Sequence, residues 1–151
     1  MGKPLGKTKK KCRFIQKESD WFDSDAYRDL NCTARCLIDE FLNIYRPNRN
    51  GQLSISTRKA AKLLSVSENT AIKAFRDLVE HGFLILSNHH CWTQGKAREY
   101  ELTVREEDGR TAKNSWQIWK PGNPVTKLPV HKNSRPQKLR HCTSKFKALV
   151  H

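Results

Sequence analysis

The sequence predicts an α+β domain, mainly helical with one small β-hairpin, carried between two basic arms. Three observations predict it. Apolar residues recur at spacings of three and four from Ala26 to Tyr45 and again from Ala60 to Val79, the period of a helix packed on one face. After Gly82 the period changes: "FLILSNHHCWTQGKAREYELTV" holds two short runs rich in branched and aromatic residues around a polar loop, which reads as a hairpin with a long tip. Charge, finally, is segregated. In a chain of 151 residues and net charge +14, residues 1–17 hold seven Lys or Arg and residues 109–151 hold ten, with no carboxylate in either. The intervening residues keep 12 basic and all 15 acidic side chains, a net of −3. Runs of like charge that are poor in apolar residues cannot offset the entropy of folding until they meet a polyanion. The expected division is a basic arm over 1–17, a folded domain over 18–107 and a basic, proline-containing tail over 108–151.

The helical stretch after Ser24 places Ala26, Leu30, Ala34, Leu37, Ile38 and Phe41 on one face, as one broken helix or two short ones. Asn31 is placed to cap the second segment, and Pro47 with the turn-forming residues 48–51 ends it near Tyr45 or Arg46. "QLSIS" alternates over Leu53 and Ile55, enough for one strand or an extended lead-in. Thr57 then caps a helix over 58–64 with Ala60, Ala61, Leu63 and Leu64 to one side. Only Ser65, Val66 and Ser67 separate it from a helix carrying Ala71, Ala74, Phe75, Leu78 and Val79, which Gly82 terminates. The hairpin strands are expected over 83–86 and 100–104. From 108 onward, Pro121, Pro124, Pro129 and Pro136 predict little regular structure beyond local docking of Trp116 and Trp119.

A helix, a short strand, two helices across a tight turn and a hairpin form the order of a winged helix-turn-helix domain. The second helix of such a pair lies in a major groove about 12 Å wide only if the first braces it closely, which requires small residues at the crossing and an apolar residue in the turn. Ala60 or Ala61 and Val66 supply these. The stretch "LSISTRKAAKLLSVSENTAIKAFRDLVEHGFL" resembles the winged helix-turn-helix of bacterial and phage regulators of the MarR and GntR kind, a resemblance covering about half the chain. "DSDAYRDLNCTARCLIDEF", "GKAREYELTV" and "DGRTAKNSWQIWKPG" are similar to helix-turn-helix proteins often found on phages and other mobile elements. What the resemblance implies is DNA binding, with no settled biological role; the leading expectation is a sequence-specific double-stranded DNA binder, a transcription regulator or a replication accessory factor of a phage or mobile element.

Helical geometry sorts the candidate contacts. With Ala71, Phe75 and Leu78 facing the core, Asn69, Lys73 and Arg76 form one outward stripe, joined by Thr70 in the first turn. Asn pairs with the adenine edge through two bonds, and Lys or Arg with guanine, so Asn69, Thr70, Lys73 and Arg76 are the candidates for base readout. Ser67 caps the helix, holds a phosphate, or does both. Arg58, Lys59 and Lys62 on the bracing helix, and Lys96 and Arg98 on the hairpin, are candidates for the DNA backbone or, for the hairpin pair, the minor groove; the competing reading of each is a solvated surface charge. Glu68 runs against the pattern, because a carboxylate near the groove is repelled by phosphate unless it accepts from cytosine N4 or serves the helix N-terminus.

Other features carry structural readings. Trp92 at the hairpin tip stacks on DNA or folds back on the domain. His89, His90 and Cys91 are adjacent, point to alternate faces of a strand and have no second ligand pair at zinc-finger spacing, so no metal or other cofactor is expected. Cys32 and Cys36, one helical turn apart, read as small core residues. No phosphate-binding glycine loop, His-Glu metal motif or converging pair of carboxylates supports an enzyme. Five scattered cysteines, no apolar leader and no apolar run of membrane-spanning length lead to the expectation of a reduced, cytoplasmic, nucleoid-associated protein without a membrane partner. Two alternatives stay open beside sequence-specific binding. One is a protein-interaction module with a host partner; the other is non-specific DNA or RNA binding through the arms. A homodimer through the first helix or the tryptophan patch is a further possibility.

Overall fold

The computed structural model of the chain describes residues 14–88 and 98–126. Among them are five helices and a two-stranded antiparallel sheet, the α+β class expected. The helices are α1 (Ser19–Asp23), α2 (Asp25–Asp29), α3 (Cys32–Ile44), α4 (Thr57–Leu64) and α5 (Glu68–Glu80); the strands are β1 (Leu84–Leu86) and β2 (Tyr100–Leu102). Short 3-10 turns occupy Pro47–Arg49 and Ser115–Ile118.

Local chemistry explains most of the boundaries. Ser24 breaks the first helical stretch: its hydroxyl accepts from the Tyr27 N–H at 3.1 Å and donates to the Trp21 carbonyl at 2.6 Å. Asn31 caps α3 by accepting from the Ala34 N–H at 2.8 Å, as its position predicts, and its amide also reaches the Asp77 carboxylate on α5. The cap of α4 is Ser56, not Thr57. Its hydroxyl accepts from the Lys59 N–H at 3.2 Å, and Thr57 is the first helical residue. Both residues carry a hydroxyl, and the helix simply begins one residue earlier than the spacing suggests.

Between α4 and α5 the chain turns at Ser65, which adopts the left-handed conformation with φ of 54°. There the Val66 N–H returns to the Ala61 carbonyl at 3.0 Å, so the last carbonyls of α4 are satisfied while Val66 tucks against the core. The end of α5 repeats this device with Gly82 at φ of 79° and the Phe83 N–H bonded to the Leu78 carbonyl at 2.9 Å. Gly82 is required twice over, since a Cβ there would lie 2.9 Å from the carbonyl carbon and oxygen of Ser115.

β1 and β2 pair with Leu84 opposite Leu102, Ile85 opposite Glu101 and Leu86 opposite Tyr100. Leu53 bridges the free edge of β2 at Tyr100, with N–H···O distances of 3.1 and 2.8 Å in the two directions, so the lead-in to α4 is tied to the hairpin. The core lies where α3, α5 and the sheet meet. Phe41, Phe75 and Tyr100 form an aromatic triangle in which Phe75 and Tyr100 stack at 5.4 Å and Phe41 meets both edge-on, at 5.9 and 5.6 Å. Ala60, Ala71 and Ala74 are fully buried, which lets the helices approach closely.

The packed body runs beyond the expected boundary at 107, as far as Val125. The Asn114 N–H bonds the Thr103 carbonyl at 2.9 Å, the Val125 N–H bonds the Glu80 carbonyl at 2.8 Å, and Trp116 stacks on Phe83 at 6.1 Å. Trp119 stacks on His81 at 4.5 Å, and His81 in turn contacts Asp29 through Nε2 at 2.9 Å. This segment covers the outer face of the hairpin, and Glu101, which alternation would leave in water, is buried beneath it against Lys113 at 2.7 Å. The two tryptophans of the tail are thereby used within the chain, which removes them as an open dimer surface. Cys32 and Cys36 are exposed rather than buried. The core face of α3 is taken by Ala34, Leu37, Ile38, Phe41 and Leu42, and positions 32 and 36 fall on its other side.

Candidate nucleic-acid interface

The core contacts of α5 decide which of its side chains reach solvent. Ala71, Ala74, Phe75, Leu78 and Val79 are buried, while Asn69, Thr70, Lys73 and Arg76 are all exposed. Asn69, Lys73 and Arg76 follow one another at four and three residues, so they share one line of the helix surface. Among the described residues none of the three has a side-chain hydrogen-bond or ion-pair partner, whereas Asp77, beside them, is drawn to Asn31 at the N-cap of α3. The stripe read from periodicity is thus present as a surface stripe.

The first turn is more organised than the sequence shows. Ser67 caps α5 by accepting from the Thr70 N–H at 3.1 Å, and the Ser67 and Thr70 hydroxyls lie 2.8 Å apart. Both hydroxyls are exposed at the helix N-terminus, where backbone N–H groups also point outward. Capping is therefore what Ser67 does in the free chain, and the two hydroxyls form one unit rather than two independent donors.

Arg58, Lys59 and Lys62 are exposed on α4. Arg58 is not a lone cation: its Nε sits 3.4 Å from Oε1 of Glu68 at the start of α5. The carboxylate that runs against a DNA-binding pattern is thus paired with one of the cations that favours it. Residues 57–80 together hold five Lys or Arg against three carboxylates.

Arg98 is half-buried two residues before β2 and interacts with the Tyr100 phenol. Burial pushes that phenol above its ordinary range, and the hydrogen bond and charge of Arg98 oppose the rise. Arg98 therefore has a structural occupation that the sequence did not reveal. Lys96, with His89, His90, Cys91 and Trp92, lies outside the described residues, and so do the basic arms over 1–13 and 127–151.

The described residues hold 15 basic and 15 acidic side chains, so the whole net charge of +14 belongs to the segments outside them. Among the described residues no group of three His, Cys, Asp or Glu side chains could hold a metal ion, and no helix is long and apolar enough to cross a membrane.

A cleft of about 780 Å³ opens between the segment before α1 and the ends of α3 and β2, lined by Ile15, Leu42, Tyr45, Val104, Arg105 and Thr111 among others. Tyr45 donates to the Glu106 carbonyl at 2.8 Å across it, and burial raises its phenol pKa against the nearby Arg105 charge. Nothing in the spacing of these residues could have announced the cleft, since it joins segments far apart in the chain.

Comparison with protein-family models, with curated proteins and with solved structures finds no match for the chain. Its functional reading therefore rests on the residues themselves.

Proposed function

We propose that the chain is a double-stranded DNA-binding protein of winged helix-turn-helix architecture, with α4 as the bracing helix, α5 as the recognition helix and the β1–β2 hairpin as the wing. More particularly, it is a site-selecting factor of a phage or mobile element, acting in transcription regulation or as an accessory to replication, and working in the cytoplasm on the nucleoid. The observation that carries this reading is the exposed line of Asn69, Lys73 and Arg76 on a helix whose opposite face is locked into the core. Those residue types match the adenine and guanine edges of the major groove, and a helix already locked into the core presents them without a backbone ordering cost, leaving only the side chains to be fixed on binding.

The neutrality of the packed body assigns a separate task to the arms. A net-zero surface attracts DNA weakly at long range, whereas the basic segments supply attraction that is independent of sequence. Selection of bound fragments from random duplex DNA, followed by the same selection with Lys73→Ala and Arg76→Ala, tests the reading. A preferred sequence that degrades in the variants is expected. Recovery of no preferred sequence, or one indifferent to both substitutions, overturns it.

A further inference from the structure

We infer that Ile72 is a specificity-determining residue, packing against the 5-methyl group of a thymine in the A·T-containing step whose adenine Asn69 reads. The inference rests on the reading of α5 as a recognition helix and names a contact which that reading leaves open.

Five apolar residues of α5 are buried, and Ile72 alone among its large apolar side chains stays 41% exposed. A singly exposed apolar residue is ordinary on a protein surface, and Leu63 and Ile118 are examples elsewhere in this chain. What sets Ile72 apart is its company. It lies three residues after Asn69 and four before Arg76, so on the helix surface it sits between two side chains able to bond base edges. The alternation of polar and apolar groups along this line has a counterpart in the major groove. There an A·T pair offers adenine N7 and N6 for two hydrogen bonds and, from its thymine, a methyl group that takes only an apolar partner. Asn69 satisfies the first and Ile72 the second. The β-branch of Ile72 restricts its first side-chain torsion in a helix, so the apolar knob is held in one orientation and little freedom is lost on contact.

The test uses the full chain and the duplex it selects, with each thymine replaced in turn by deoxyuridine, which removes only the methyl group. At one position the wild-type chain is expected to lose affinity about fourfold, the equivalent of one buried methylene-sized group. Ile72→Ala is expected to bind the thymine duplex about fourfold more weakly and to treat thymine and deoxyuridine alike. Its thermal midpoint should stay close to wild type, because the side chain is partly exposed and Ala is the better helix former, and a midpoint within a few degrees separates loss of contact from loss of fold. The inference is overturned, with the DNA reading intact, if a preferred site exists but lacks thymine or is indifferent to deoxyuridine at every position. It is overturned likewise if Ile72→Ala still discriminates as wild type does. If no preferred site exists at all, the DNA reading fails and the role of Ile72 fails with it.

Discussion

Arg58 on α4 and Glu68 on α5 form an exposed ion pair across the turn that joins the two helices, with Nε and Oε1 3.4 Å apart and side chains 79% and 58% accessible. Such a pair contributes at most about 1 kcal/mol to stability, because water and salt screen both partners. Its larger consequence concerns a polyanion approaching the same surface, since Glu68 offsets a cation at the leading end of α5. Glu68→Gln is therefore expected to leave the thermal midpoint nearly unchanged and to tighten binding to any duplex at low salt, measured by fluorescence anisotropy. A loss of affinity confined to the preferred duplex would instead identify Glu68 as an acceptor from cytosine N4.

Lys73→Ala and Arg76→Ala should each weaken binding to the preferred duplex by about 1–3 kcal/mol relative to scrambled DNA, the range for loss of a good base contact. Both side chains are exposed, so equilibrium unfolding should be unaffected. If the chain captures a protein partner whose affinity survives both changes, and duplex binding is weak throughout, the interaction-module reading replaces the DNA reading.

The arms should set affinity and not choice. Engagement of about five phosphates predicts a log-log salt slope near −4.5, roughly a 500-fold loss for a fourfold rise in salt. Truncation to residues 14–126 removes 13 of the 29 Lys and Arg residues while leaving the packing of Val125 on α5 in place. The shortened chain should show a shallower slope and the same preferred sequence. If preference disappears together with affinity, binding is driven by the arms alone.

Two backbone positions should respond in opposite directions. Gly82→Ala places a Cβ against Ser115 at a positive φ and is expected to cost about 2–4 kcal/mol, the sum of left-handed strain and overpacking. Ser65→Gly relieves the left-handed conformation of the turn and is expected to stabilise by up to about 1 kcal/mol. Urea unfolding reads both. A stable Gly82→Ala chain would show that the Ser115 segment does not dock where the structure places it.

What was legible in the sequence was local. The spacing of Ala71, Phe75 and Leu78 is enough to separate the two faces of α5, and Asn31 and Ser67 announce their caps because an N-cap bond spans only two or three residues. The cap of α4 falls at Ser56, one residue before the expected Thr57, because two adjacent hydroxyls compete for the role. α1 and its fully buried Trp21 leave no mark in the sequence, being set in a short polar stretch without periodicity. Cys32 and Cys36 are exposed and not in the core as expected, because a one-turn spacing identifies a shared face and not which face is covered.

By itself the sequence determined the order of helices and hairpin, the outward stripe of α5 and the segregation of charge between body and arms. All of these follow from period, capping and composition, which act within a few residues of the chain. Tertiary structure alone decided that residues 109–125 belong to the body, that Glu101 is buried against Lys113, that Arg98 is occupied with Tyr100 and that Arg58 is paired with Glu68. These outcomes depend on which surface comes to cover the second face of the hairpin and on which charges the turn brings together. Burial and electrostatics are set by neighbours in space, and a contact such as Tyr45 to Glu106 spans 61 residues that no local pattern can bridge.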